Sequence, residues 1–193
     1  MPSMVSNRRT ASGRDRRRRF VAAASAALLL GGAVPWRVAR AAHVVRPWPA
    51  DRPVPPLDLL DLDGKRWRLE ALAGKVVVFN FWATWCKPCR IEMPSLAALA
   101  ARRSQDGVVV AAVNYLEPAA KIRSYLEQAP FKPPILLDSD GDATVAWTPR
   151  VFPTTVLIGR DGRPAQTVVG ELDWQGAEAE SLLQPLVAGR RKA

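Results

Sequence analysis

Histidine and cysteine are scarce in this 193-residue chain, with one His and two Cys. A closed structural zinc site takes four ligands, drawn mostly from those two residue types, so such a site would need carboxylates or a second chain. A long uncharged apolar run is also missing. The longest stretch, Phe20 to Val34, has 15 residues, short of the ~20 that span a bilayer comfortably. Excess positive charge is absent from most of the chain as well. The formal net charge is +10, but Met1 to Ala41 holds nine Arg against one Asp, and the remainder carries 19 basic and 17 acidic residues. The body has no basic stripe interleaved with exposed aromatics, which argues against a nucleic-acid partner. Arg190, Arg191 and Lys192 form a short basic tail (190–193), read as a solvated end.

The first residues have a distinct layout. A basic region ends in Arg16-Arg17-Arg18-Arg19, the apolar run follows, and Pro35 leads to the small-residue stretch Val38-Ala39-Arg40-Ala41-Ala42. This is the pattern of an export signal with an A-x-A cleavage site, here after Ala41. The short apolar run favours a cleaved signal over a permanent membrane anchor. Arg17-Arg18-Arg19-Phe20-Val21 resembles the twin-arginine pattern R-R-x-F-apolar, while an ordinary secretory signal also tolerates an arginine cluster, so two export routes stay open. Residues 42–56 include five prolines, at 47, 49, 53, 55 and 56. Proline fixes φ and removes a backbone donor, so the segment reads as an extended tether. The single histidine, His43, reads as a solvated residue on it. The folded unit is expected over 57–189.

In that unit, Leu57 to Leu69 around Asp63-Gly64 reads as a β-hairpin. Val76 to Phe81 is nearly unbroken apolar, the composition of a strand covered on both faces. Helical spacing continues through Ile91, Leu96 and Leu99 to about Arg103. Val108–Val113 reads as a strand, Ala119–Gln128 as a helix, and Ile135–Leu137 as a short strand. A second hairpin is expected from Thr154–Ile158 and Arg163–Val169, and a closing helix from Trp174 to Ala188. The order predicts an α/β fold, a central sheet with helices on both faces and an N-terminal β-hairpin.

Both cysteines lie in Trp82-Ala83-Thr84-Trp85-Cys86-Lys87-Pro88-Cys89, where a strand gives way to a helix. A bridge between residues 86 and 89 closes almost no loop, so it contributes little as a staple, and redox chemistry is the better reading. At a helix N-terminus, free N–H groups and the helix dipole stabilise an anion, and Lys87 adds positive charge. Cys86 is therefore expected to ionise below the ~8.5 of a free thiol and to act as the attacking sulfur. Cys89, one turn further in, is expected to be more buried and to resolve the mixed disulfide. Glu92 lies three residues beyond Cys89 on the same helical face. It is either a buried proton carrier for that thiol or a surface glutamate. Pro94 is expected to bend the helix, because the carbonyl of Arg90 loses its partner.

The segment Phe81 to Cys89 resembles the active site of the thioredoxin superfamily. Asn80 stands where thioredoxin itself has a buried aspartate. That substitution, together with Thr84, Glu92 and Pro94, is similar to the exported TlpA/ResA-like thiol–disulfide oxidoreductases. The leading hairpin, Phe152-Pro153-Thr154-Thr155 and Leu157 to Gly162 match the same family, so the resemblance spans about Pro55 to Ala188. It implies a thioredoxin-like mixed sheet and catalytic Cys86, Cys89 and Glu92. It also implies that Pro153 is a cis-proline facing the disulfide, with Trp85, Lys87, Pro88, Phe152 and Pro153 contacting a client segment. Trp82 and Trp85 are read as packing and shielding groups, and Trp147 and Trp174 as core or rim.

The absence of histidine between the cysteines implies weaker thiolate stabilisation and a lower potential than in strongly oxidising relatives, hence a reductant. Such a periplasmic reductase would draw electrons from a membrane thiol carrier. It would serve client proteins with disulfides, for example apocytochrome c or copper-protein cysteines. Thr154, where the apocytochrome-specialised branch often has glutamate, favours a general reductase. No cofactor or metal is called for, and a monomer is expected. Two rival readings come from other classes. A peroxiredoxin would want Pro-x-x-x-Thr/Ser-x-x-Cys, but Phe79 and Ala83 occupy those places. The other is a redox-inactive or metal-binding chaperone module of the same fold.

Overall fold

The structure, a computed structural model, describes residues 43–189. The expected export signal at 1–41, its cleavage site and the tail at 190–193 lie outside the described residues. In chain order the strands are β1 (Val44–Pro47), β2 (Asp58–Asp61), β3 (Arg66–Arg68), β4 (Val76–Trp82), β5 (Val108–Tyr115), β6 (Ile135–Asp138), β7 (Thr154–Ile158) and β8 (Pro164–Val169). The helices are α1 (Lys87–Arg103), α2 (Ala119–Gln128), α3 (Asp142–Trp147) and α4 (Ala177–Ala188). Among the described residues no helix is long and apolar enough to cross a membrane.

The strands form one mixed sheet in the order β1-β8-β7-β4-β5-β6-β2-β3. The β4–β5 and β5–β6 pairs are parallel, and the others are antiparallel. Every residue of β4 is buried, as its continuous apolar run predicts. Alternation along β4 sends its side chains to opposite faces. Val77, Phe79 and Phe81 pack with Trp147 and Ala143 of α3, while Val76 and Val78 pack with Leu96 and Leu99 of α1 and Leu183 of α4. A third apolar cluster joins Trp82 and both cysteines to Met93 of α1 and Ile122 of α2. The β2–β3 hairpin turns at Gly64, whose φ of +81° a side chain would resist.

The structure departs from the sequence reading in three places. Where it is described, from residue 43, the expected 42–56 tether is not free: β1 pairs antiparallel with β8, from Val44↔Val169 to Pro47↔Gln166. Trp48 then enters the core, its ring 5.7 Å from that of Trp147. Proline is compatible with this because β1 is an edge strand, where one face of the backbone needs no partner. Helix α3 was not expected. Its first amides are held from outside the helix, by the Asp138 carboxylate at the end of β6, which accepts from Ala143 N (3.1 Å) and Thr144 N (2.8 Å). Finally, the closing helix begins at Ala177, so Trp174 sits in the loop before it.

Candidate active site

Strand β4 ends at Trp82, a short turn follows, and Cys86 caps α1. The sulfur of Cys86 accepts a hydrogen bond from the backbone N–H of Cys89 at 3.3 Å. One of the helix's orphan donors is thereby directed at the sulfur expected to carry negative charge. Cys86 and Cys89 form a disulfide with an S–S distance of 2.02 Å. Cys89 is the more buried, at 1% exposure against 5% for Cys86. Lys87 is exposed, and Pro88 occupies the first turn of α1, where a missing N–H leaves no bond unmade. Pro94 lies inside the helix as expected.

The Phe152–Pro153 peptide bond is cis. It leads directly into β7, whose Thr154 pairs with Phe81 of β4, so the proline lies at the end of the sheet from which the cysteine turn departs. The Pro153 carbonyl accepts from Gly170 N at 2.8 Å. The half-buried Phe152 ring meets Trp85 edge-on at 5.8 Å and Tyr115 at 5.3 Å. Trp85 is 60% exposed, whereas Trp82 is fully buried against Tyr125 and the cysteines. The two tryptophans therefore divide the roles: Trp82 packs beneath the sulfurs, and Trp85 presents apolar surface beside them.

Glu92 proves to be a buried group, 2% exposed. Its Oε1 accepts from Asn80 Nδ2 (3.2 Å), Trp174 Nε1 (2.5 Å) and, more distantly, Thr155 Oγ1 (3.5 Å). Its Oε2 has no hydrogen-bond partner. Burial pushes its carboxyl up to about 8, opposed chiefly by the Trp174 N–H and reinforced by the charge of Glu171. A carboxyl titrating there is neutral for most of the time at neutral pH and close to a thiol in proton affinity.

A second carboxylate holds the cysteine turn. Glu117, buried after β5, accepts from Thr84 N and Thr84 Oγ1 (both 2.6 Å) and from Asn114 Nδ2 (2.9 Å), and pairs with Lys121 at 2.8 Å. Burial alone would raise its proton affinity. The bonds from Lys121 and Thr84, with Asn114, outweigh that and hold it below the usual carboxylate value. Neither Glu117 nor Trp174 belongs to a motif: sequence reasoning missed Glu117, and it read Trp174 as core or rim without its contact to Glu92. His43 is also not the solvated residue expected: its Nε2 lies 2.6 Å from Glu178 Oε1, and the ring is mostly covered. Among the described residues, no three His, Cys, Asp or Glu side chains gather as a metal-holding group.

The AhpC/TSA family profile matches residues 50–164, more than half of the chain. The chain belongs to the AhpC/TSA family. Within this thioredoxin-like group it is 36% identical, over 124 residues, to the thiol–disulfide oxidoreductase ResA of Geobacillus kaustophilus, covering 64% of this chain and 71% of that protein. The ResA of Bacillus cereus is 34% identical over 111 residues. The match covers 58% of this chain, and the chain spans only 64% of that relative's length. The solved structure of a thiol:disulfide interchange protein DsbE from Chlorobium tepidum superposes with a TM-score of 0.65 at 27% identity, covering 69% of this chain and 94% of that one. The TlpA/ResA-like resemblance read over about Pro55 to Ala188 thus agrees with relatives and solved structures that match 58–69% of the chain.

Proposed function

We propose that this chain is a periplasmic thiol–disulfide oxidoreductase working as a protein-disulfide reductase. The observation that carries the reading is the Cys86–Cys89 pair at the N-terminus of α1, beside cis-Pro153 and ahead of the buried Glu92. In the reduced protein the Cys86 thiolate attacks one sulfur of a client disulfide. A Cys86–client bond forms, the client's own S–S bond breaks, and the displaced client thiolate takes a proton from water. Cys89 then passes its proton to Glu92 in the ionised form that a carboxyl titrating near 8 samples at neutral pH, and attacks Cys86. The 86–89 disulfide forms as the second client sulfur leaves, so two electrons have moved from this protein to the client. Trp85, Lys87, Pro88 and the Phe152–Pro153 backbone form the surface on which an extended client segment docks, with main-chain pairing giving affinity without strong sequence selection.

Several features support the direction and the setting. Lys87-Pro88 offers no histidine to over-stabilise the Cys86 thiolate, which favours a reducing pair. The layout of residues 1–41 supports export by a cleaved signal, and a dithiol outside the cytoplasm needs a membrane thiol donor to recharge it. Clients are disulfide-bearing proteins in general, for example those whose cysteines must be reduced before haem or copper insertion. The protein acts as a monomer and needs no cofactor. The test is insulin reduction by the mature protein with dithiothreitol. Acceleration that disappears in C86S is expected; equal activity in that variant, or a reduction potential in the range of DsbA-type oxidants, contradicts the reading.

A further inference from the structure

Trp174 and Glu92 are 82 residues apart in sequence, yet the indole N–H donates to Glu92 Oε1. The loop carrying Trp174 is pinned to the same helix: its backbone N–H donates to Ser95 Oγ at 3.1 Å, one turn beyond Glu92, and Ser95 in turn donates to the Glu92 carbonyl at 2.8 Å. The ring itself is fully buried in the cluster with Leu96, Leu99 and Leu183. Indole is a donor only, so in this place it serves a carboxyl oxygen and nothing else. Asn80 Nδ2 adds a second donor to the same oxygen, while Oε2 has none.

We propose that Trp174 is a positioning residue for Glu92, fixing the carboxyl so that Oε1 is saturated by donors and the exchangeable proton is carried on Oε2. A cavity of about 620 Å³ is lined in part by Glu92. Buried Glu92, Ser95 and Leu172 line it together with exposed Ile91, Asp173 and Glu178, while Oε2 itself stays closed to solvent. The titratable groups around Glu92 are Cys89 on its own helix, Glu171 and Asp173 on the Trp174 loop, Glu178 on α4, and His43 ahead of β1. The strand residues packed on it, Asn80 and Thr155, are neutral. Glu171 raises its proton affinity and the Trp174 donor lowers it. The proposal deepens the proton-carrier role given to Glu92 above, and it is tested apart from that role.

The experiment is an infrared pH titration of the oxidised mature protein, following the carboxylic-acid C=O band that vanishes in E92Q. The W174F variant keeps an aromatic ring and removes the N–H. Loss of a hydrogen bond to a charged group moves the midpoint upward by about one pH unit. An unchanged midpoint in folded W174F overturns the proposal. If W174F does not fold, S95A, which frees the Trp174 loop, decides: an upward shift supports the proposal and an unshifted band overturns it. In parallel, W174F and E92Q should each slow release of a captured client, with the double variant no slower than E92Q alone. If E92Q releases clients at the normal rate while the infrared shift is present, the proton-carrier role fails and the Trp174–Glu92 link stands.

Discussion

Glu92 places an ionisable group where water cannot solvate its charge, and the consequence is a pH-dependent fold. Its proton affinity in the folded protein, about 8, lies above the ordinary 4.5. The folded state therefore holds a proton that the unfolded chain releases between those values. The associated stability is fully present below about pH 4.5 and falls as pH rises toward 8. Relative to E92Q, which cannot ionise, the wild-type unfolding free energy should drop by a few kcal/mol across that window and then level off, as measured by urea denaturation of the oxidised proteins. A flat difference would mean that Glu92 is solvated. Only half of this was legible beforehand. The three-residue spacing from Cys89 placed Glu92 on the thiol's face of the helix, but its burial comes from Asn80, Thr155 and Trp174 on three distant segments. The same is true of Glu117, whose grip on Thr84 joins positions 33 residues apart.

The secondary elements were easiest to read where one pattern dominated. The apolar run of β4, the periodic face of α2 and the Asp63-Gly64 hairpin lie where the chain's own chemistry puts them. Strand β1 and helix α3 were missed because each depends on a remote partner: β1 on the edge of β8, and α3 on the carboxylate of Asp138. Five prolines near β1 pointed to a tether, yet Trp48 anchors that segment against Trp147, with Arg52 stacked over its ring at 4.3 Å. Replacing this side chain by alanine should leave a cavity costing about 3 kcal/mol. W48A should thus lower the urea midpoint clearly at any pH. A shift within experimental scatter would return residues 43–56 to the status of a tether.

For the molecule as a whole, topology concentrates the chemistry. The parallel β4–β5 pair requires a crossover helix, and α1 supplies it, so its N-terminus lies at the carboxyl end of β4, where α/β sheets commonly bind and transform ligands. The antiparallel return of β7 brings cis-Pro153 to the same end. Helix dipole, disulfide, cis-proline and buried carboxyl are thus gathered by the order of the strands, and the motifs announced the gathering because each sits at a strand end. The direct test is the alkylation rate of reduced C89A followed across pH, in which Cys86 is the only thiol. Half-maximal reactivity well below the ~8.5 of a free cysteine is the predicted result; a midpoint at or above that value would contradict Cys86 as the attacking sulfur.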